Sequence, residues 1–217
     1  TAPMTLGVQL YTLRHLGGGV DDVLRVVAEA GYAAVETVGT HGLDAETLRA
    51  ALDRYALRAV SSHVPLATLR DEVEATAAFA RAVGVKRLGV PSIPEEERPI
   101  DAAGWRRLGA RLAELGARYR RHGLRLELHN HDVELAAVDG GTALDALLDG
   151  ADPADLDVQL DLAWIARAGH DPLEVLERHG ARCRSLHVKD LAPSGTRLGE
   201  DGWTTVGRGT LDWSRLL

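Results

Sequence analysis

The feature that most constrains the fold of this sequence is a regular alternation of short β-rich runs with longer amphipathic stretches. Runs of strand character lie at 5–13, 33–39, 58–65, 87–92, 124–131, 156–164 and 185–191. Between them, segments such as 20–31 and 44–56 carry apolar residues at i, i+3 and i+4, the spacing of a helix with one buried face. Gly31, Gly84 and Gly123 stand where these helices should close before the next strand. Alternation at a period of roughly 25–37 residues predicts parallel strands joined by right-handed crossovers.

Two architectures satisfy that pattern, an open doubly wound sheet and a (β/α)8 barrel. No G-x-G-x-x-G phosphate loop follows the first strand, and the Gly17–Gly19 triplet lies beyond the strand end. His63, His129, His131, Asp161 and His187 all fall at or near the C-terminal ends of their strands. A barrel gathers its active site on that rim, from many strands at once. The sequence therefore predicts an α/β fold, a (β/α)8 TIM barrel, in one domain over 1–217. Only seven strands are visible, and the chain stops at "TLDWSRLL", which reads as the opening of another helix. The eighth strand is expected to be missing, with the domain incomplete at its C-terminus.

The 217 residues are 45% hydrophobic and 26% charged, with a net charge of −7, a composition that supports one sizeable core. Nucleic acid and anionic membrane are poor partners for that negative balance. The basic run at 106–123 has helical spacing and reads as a solvated face. One cysteine, Cys183, excludes an intramolecular disulfide, fits a reducing compartment and is expected to be a buried, inert thiol. No apolar run approaches the roughly 18 residues of a membrane span. The N-terminus lacks a basic-then-apolar leader pattern, so the expected location is the cytoplasm.

The motif "LELHNHDVEL" (126–135) repeats ionisable residues at alternate positions. Side chains two apart on a strand share a face, so Glu127, His129 and His131 point one way. The same parity pairs Gln159 with Asp161, His187 with Lys189, Ser61 with His63 and Gln9 with Tyr11, and Glu36 sits on the second strand. Buried imidazoles and carboxylates at that density repel or desolvate one another unless a cation neutralises them. Mixed His/Asp/Glu ligation with open positions suits Mn²⁺, Co²⁺, Zn²⁺ or Mg²⁺. Taken singly, each residue also reads as a hydrogen-bonded core or rim group.

"HNHDVEL" (129–135), "LDLAWIARAGHDPLEVLERHGAR" (160–182), "LHVKDL" (186–191) and "VGRGTLDW" (206–213) resemble the xylose isomerase-like TIM barrels. That family includes sugar isomerases and epimerases, inosose dehydratases and, more distantly, endonuclease IV. The resemblance is to the branch with His-Asn-His on strand 5. It implies one divalent metal held by carboxylates and imidazole from strands 5 to 8. Asp161 matches the strand-6 Asp and His187 the strand-7 His. His129 stands where many members have Glu, so it ligates directly or Glu134 or Glu127 substitutes. The strand-8 Glu has no counterpart by residue 217, and Arg208 reads as a solvent or substrate contact.

The implied activity is a metal-dependent isomerase or epimerase on a keto sugar or polyol, through a metal-stabilised enediolate. Glu134 and Glu36 are the expected proton acceptors, with Lys189 in the same catalytic group. His63, His131 and Gln9 are expected to bind substrate oxygens, and Tyr11 and Trp164 to give a sugar ring an apolar wall. Lys189 could equally pair with Asp190 or Glu36. A dehydratase or lyase on the same scaffold is the first alternative. Phosphodiester hydrolysis and a metal-free binding barrel are the others. The expected partners are a small sugar or polyol and, by family analogy, a second copy in a homodimer.

Overall fold

The structure is a computed structural model that describes residues 5–216. Thr1–Met4, part of the N-terminus without a leader pattern, and Leu217 lie outside the described residues. By packing, the chain divides into two compact units, Thr1–Pro91 with Ala117–Leu126 and Ser92–Gly116 with Glu127–Leu217.

In the first unit, β1 (Val8–Gln9), β2 (Ala34–Val38), β3 (Arg58–His63) and β4 (Arg87–Val90) pair side by side in chain order, all parallel. Helices α1 (Val20–Glu29) and α2 (Ala45–Arg54) form where the 3.6-residue apolar pattern predicts them. Asp44 starts α2 by accepting a 2.7 Å bond from Thr47 N, which satisfies one orphan donor of the first turn. α3 (Leu66–Asp71) runs almost directly into α4 (Val73–Val83), which Gly84 closes at φ 95°. Only glycine adopts that left-handed geometry without a Cβ penalty. Leu24, Leu48, Leu52, Leu69 and Val83 are fully buried beneath the strands.

α5 (Ala102–Arg120) and β5 (Arg125–His129) each pass from one unit into the other along the chain. In the second unit, β6 (Leu156–Asp161) and β7 (Cys183–His187) pair in parallel, with Asp161 opposite His187. Every residue of β6 is buried, as in a parallel strand covered on both faces. Asp145 and Thr142 form a reciprocal capping box on α6 (Ala143–Gly150). α8 (Pro172–His179) begins with Pro at its first position behind the capping Asp171. Arg106, Arg107 and Arg111 of α5 are exposed, the solvated basic face that the sequence predicts.

Most strands end a residue or two short of the expected boundaries, and three elements change course altogether. The first strand is only two residues long, because Gln9 Oε1 accepts from Tyr11 N and turns 10–13 into a 3₁₀ helix. Tyr11 therefore loses the shared strand face with Gln9 and is 58% exposed, with the Arg14 guanidinium over its ring. Next, the sixth strand stops at Asp161, and 162–167 is the short helix α7, so Trp164 is helical. A continuous apolar run such as "LDLAWI" has no period to separate strand from helix. Finally, the seventh strand breaks after His187, and Asp190–Leu191 pairs antiparallel with Trp203–Thr204. Among the described residues, no eighth strand joins β1–β7, and no helix is long and apolar enough to cross a membrane.

Candidate metal centre

The second unit stacks its inward-facing side chains in two tiers. In the lower tier, Gln159 Nε2 donates to Glu127 Oε1 at 3.3 Å and to Ser185 Oγ at 3.0 Å, and Ser185 Oγ donates to Glu127 at 3.0 Å. Glu127 is fully buried, and these bonds occupy its carboxylate, so the strand-5 carboxylate alternative to His129 is engaged elsewhere. One step further along each strand stand His129, Asp161 and His187. Layers of this kind, one residue from each strand, are how a parallel barrel fills its interior.

The upper tier is compact. The His129 and His187 rings lie with centroids 4.5 Å apart, and each offers a nitrogen within 4.8 Å of the other. Asp161 Oδ2 is 3.8 Å from His187 Nδ1. Asp161 also caps α7: its Oδ1 accepts from Ala163 N at 3.1 Å and Trp164 N at 3.0 Å. That cap fixes the rotamer and leaves the other oxygen facing His187. Asn130, fully buried, fixes the backbone from the other side, with Oδ1 accepting from Asp161 N at 2.9 Å. Burial pushes the Asp161 carboxyl above its ordinary range, opposed by His187, Lys189 and the amides of α7.

His131 packs edge-on against His129 (4.8 Å, 88°) and against Trp164 (4.9 Å, 65°). The fifth strand stops at His129, so His131 does not share a strand face with it as the sequence predicted, yet the two rings still meet. Glu134 lies on the turn Val133–Leu135 and is fully buried. Its Oε2 accepts from His131 N at 2.8 Å, while its Oε1 is buried without a hydrogen-bond partner among the described residues. Burial raises this carboxyl, against the pull of the His131 amide and of Arg98.

Lys189 does not pair with Asp190. Its Nζ lies 3.6 Å from the centre of the Trp203 ring, and the Arg167 guanidinium lies 3.5 Å from the same centre. Both cations are thus within cation–π range of the same indole. Trp203 in turn meets Trp164 edge-on at 4.9 Å. Asp190, fully buried, accepts instead from the backbone of Leu191, Gly207, Gly209 and Leu211 and from the Trp213 indole. Trp203, Arg167 and Asn130 carried no role in the sequence reading, and Asp190 entered it only as an alternative partner of Lys189. Trp203 sits in a polar loop with no periodic neighbour, and only the "HVKD" adjacency pointed towards Asp190.

The first unit has its own polar cluster. Glu36 accepts from Gln9 Nε2 at 2.7 Å and from Ser61 Oγ at 2.5 Å, and His63 Nε2 lies 3.3 Å from it. Glu36 and His63 are 6% and 7% exposed. Gln9 thus binds Glu36 through its side chain, as the register Gln9↔Glu36 dictates. Arg208 is exposed. Cys183 opens β7, and burial raises its thiol, the environment of an inert cysteine.

Parallel strand–helix alternation with imidazole and carboxylate at the strand ends defines an α/β barrel type whose strand ends could hold a metal ion. The xylose isomerase-like TIM barrel family model matches residues 24–217, and the chain belongs to that family. Inosose dehydratase from Lacticaseibacillus casei is 26% identical over 181 residues, which is 75% of this chain and 60% of that protein. The chain thus spans about three fifths of the length of such relatives. Among solved structures, a sugar phosphate isomerase/epimerase from Parabacteroides distasonis ATCC 8503 superposes with a TM-score of 0.80 at 21% identity, covering 100% of this chain and 82% of the other. The IolI protein, solved with a bound zinc atom, gives 0.77 at 15% identity, covering 98% and 83%. These two likenesses establish the fold.

Proposed function

We propose that this chain carries the catalytic barrel of a divalent-metal-dependent enzyme that removes a proton beside the carbonyl of a keto sugar or keto polyol. The observation that carries this reading is the convergence of His129, Asp161 and His187 from three consecutive barrel strands. Ligands around one transition ion at ~2.1 Å stand roughly 3–3.5 Å apart. The 3.8 Å between Asp161 and His187 and the limit of 4.8 Å between His129 and His187 need only small side-chain rotations to reach that spacing. Two imidazoles and a carboxylate suit Mn²⁺, Co²⁺ or Zn²⁺ better than Mg²⁺. The zinc in the fold neighbour IolI is consistent with this donor set. A cation there supplies Lewis-acid polarisation of a substrate carbonyl.

The chain's own groups do the rest. Glu134 is the proton acceptor: its Oε1 is unengaged, and burial raises its proton affinity towards the range a general base needs. Glu36 is the second acceptor, held by Gln9 and Ser61 and able to pass a proton to His63. His131 and His63 bind substrate hydroxyls, Trp164 walls the sugar ring, and Lys189 donates to a substrate oxygen. Tyr11 is exposed on its 3₁₀ turn.

Dehydration is the outcome favoured by the inosose dehydratase relatives. The C–H bond beside the carbonyl breaks, a carbon–carbon double bond forms, and the β-hydroxyl leaves as water with the abstracted proton. Returning that proton to the neighbouring carbon would give isomerisation, and to the opposite face epimerisation. The test is proton exchange in D₂O, with Mn²⁺ or Co²⁺ and a panel of keto sugars and inososes. Deuterium should appear at the carbon beside the carbonyl. A panel that shows neither exchange nor product overturns the reading.

A further inference from the structure

Beside His131 lies a cavity of about 190 Å³ lined by Ser92, Arg98, His131, Asp132 and Val133. None of the three metal-centre residues lines it. Ser92 and Arg98 come from the loop that follows β4, and Asp132 and Val133 from the turn that follows β5. At ~30 Å³ per water, the space holds about six waters, the scale of one end of a sugar.

Ser92 and Asp132 are exposed and Arg98 and His131 half-buried, so the cavity opens directly to solvent. Arg98 Nε donates to the carbonyl of the fully buried Ile93 at 2.9 Å, and Arg98 N closes the Glu95–Glu97 turn on Glu95 O at 3.2 Å. Those two bonds set the direction of the guanidinium. Its terminal nitrogens make no hydrogen bond among the described residues, and neither does the Asp132 carboxylate. The turn that carries Asp132 is itself held by the His131 N to Glu134 bond. The buried, unpartnered Glu134 Oε1 lies on that same turn.

Charge decides what fits. One cation and one anion face the same small space, with a hydroxyl and an imidazole between them. A phosphate or carboxylate would gain Arg98 but meet Asp132 at close range, a repulsion that disfavours it. A vicinal diol has no such conflict, because each hydroxyl both donates and accepts. It can give its protons to Asp132 and take donors from Arg98 and Ser92, leaving no charged group unpaired. Lys189 and Arg167 lie against Trp203 and do not line this cavity, although the Arg167 charge does interact with Asp132.

We propose that the Ser92–Arg98–Asp132 cavity is the subsite for the hydroxyl-bearing end of the substrate, and that Asp132 selects neutral polyols over phosphorylated ones. This deepens the proposed function and rests on it for the location of the reacting end. The test is calorimetric titration with myo-inositol and with myo-inositol 1-phosphate. The wild-type chain should bind the neutral probe at least tenfold more tightly. Asp132→Asn should shrink that preference at least tenfold, and Arg98→Ala should weaken the neutral probe about tenfold. Circular dichroism should be unchanged in both.

Tighter binding of the phosphorylated probe, binding of neither probe, or variants that leave both affinities within twofold overturns the proposal. D₂O exchange reads the chemistry separately. Loss of exchange with the binding pattern intact removes the metal–proton reading and keeps the subsite, whereas the reverse removes only the subsite.

Discussion

At the residue scale, Asp161 joins fold to chemistry. One oxygen caps α7 and the other faces His187, so the helix start itself aims the carboxylate. Asp161→Ala should cost about 1 kcal/mol of stability from the lost cap, and metal affinity as well. His187→Ala removes a proposed ligand and no cap. It should weaken Co²⁺ binding at least tenfold in a spectroscopic titration with the far-ultraviolet circular dichroism unchanged. Glu134→Gln keeps the size and the His131 amide partner but removes the basic oxygen. Proton exchange should fall about 10²–10⁴-fold while Co²⁺ affinity stays within a few-fold. These positions were readable because strand parity is strict: Glu127 with His129 and Gln159 with Asp161 follow from period two alone, whereas the expected pairing of His187 with Lys189 fails because the strand ends at His187. Tyr11 and Trp164 were misplaced for the same reason. Parity ends where a side chain caps its own backbone, and Gln9 and Asp161 both do so. The contacts of Trp203 with Lys189 and Arg167 join residues 14 and 36 positions apart, separations no local period encodes.

At the scale of elements, close packing in the second unit sets a sharp test. A Cβ added at Gly109 of α5 would collide with the backbone carbonyl of Leu147 in α6. Backbone cannot yield as a flexible side chain can, so Gly109→Ala should destabilise by about 1–3 kcal/mol or more in urea unfolding. The α6 start also links to α8. Burial alone would raise the Asp145 carboxyl, but the amide and hydroxyl of Thr142 with Arg178 and His179 outweigh it and hold it at about 2. A carboxyl depressed in the folded state lends stability above its unfolded value near 3.8, and that stability is lost as pH falls through about 2. The loss should be on the order of 1–2 kcal/mol, and Asp145→Asn should flatten the urea midpoint between pH 5 and pH 2.5. The capping box was visible as "TALD", and the helix–helix link was not, because Arg178 and His179 lie 33 and 34 residues away.

At the scale of the whole molecule, the strand–helix rhythm fixed the class before any side chain was placed, and the family match over residues 24–217 agrees. The rhythm survives small errors in boundaries because each unit must bury a continuous apolar face wherever its strand ends. Binding of one cation to the folded state alone should raise the thermal midpoint. At a hundredfold excess over the dissociation constant the gain is ~2.7 kcal/mol, readable by calorimetry with Co²⁺ and reversible by a chelator. A chain whose midpoint ignores every divalent transition ion would belong to the metal-free alternative.

The two-tier interior carries a consequence for how this scaffold could change its reaction. Glu127, Gln159 and Ser185 satisfy one another beneath the histidines, so the floor does not depend on what is bound above it. Swapping His129 for the glutamate common among kin would then retune ion preference and proton affinity without reopening the foundations. Chemical novelty could accumulate on the upper storey while folding is inherited from the one below.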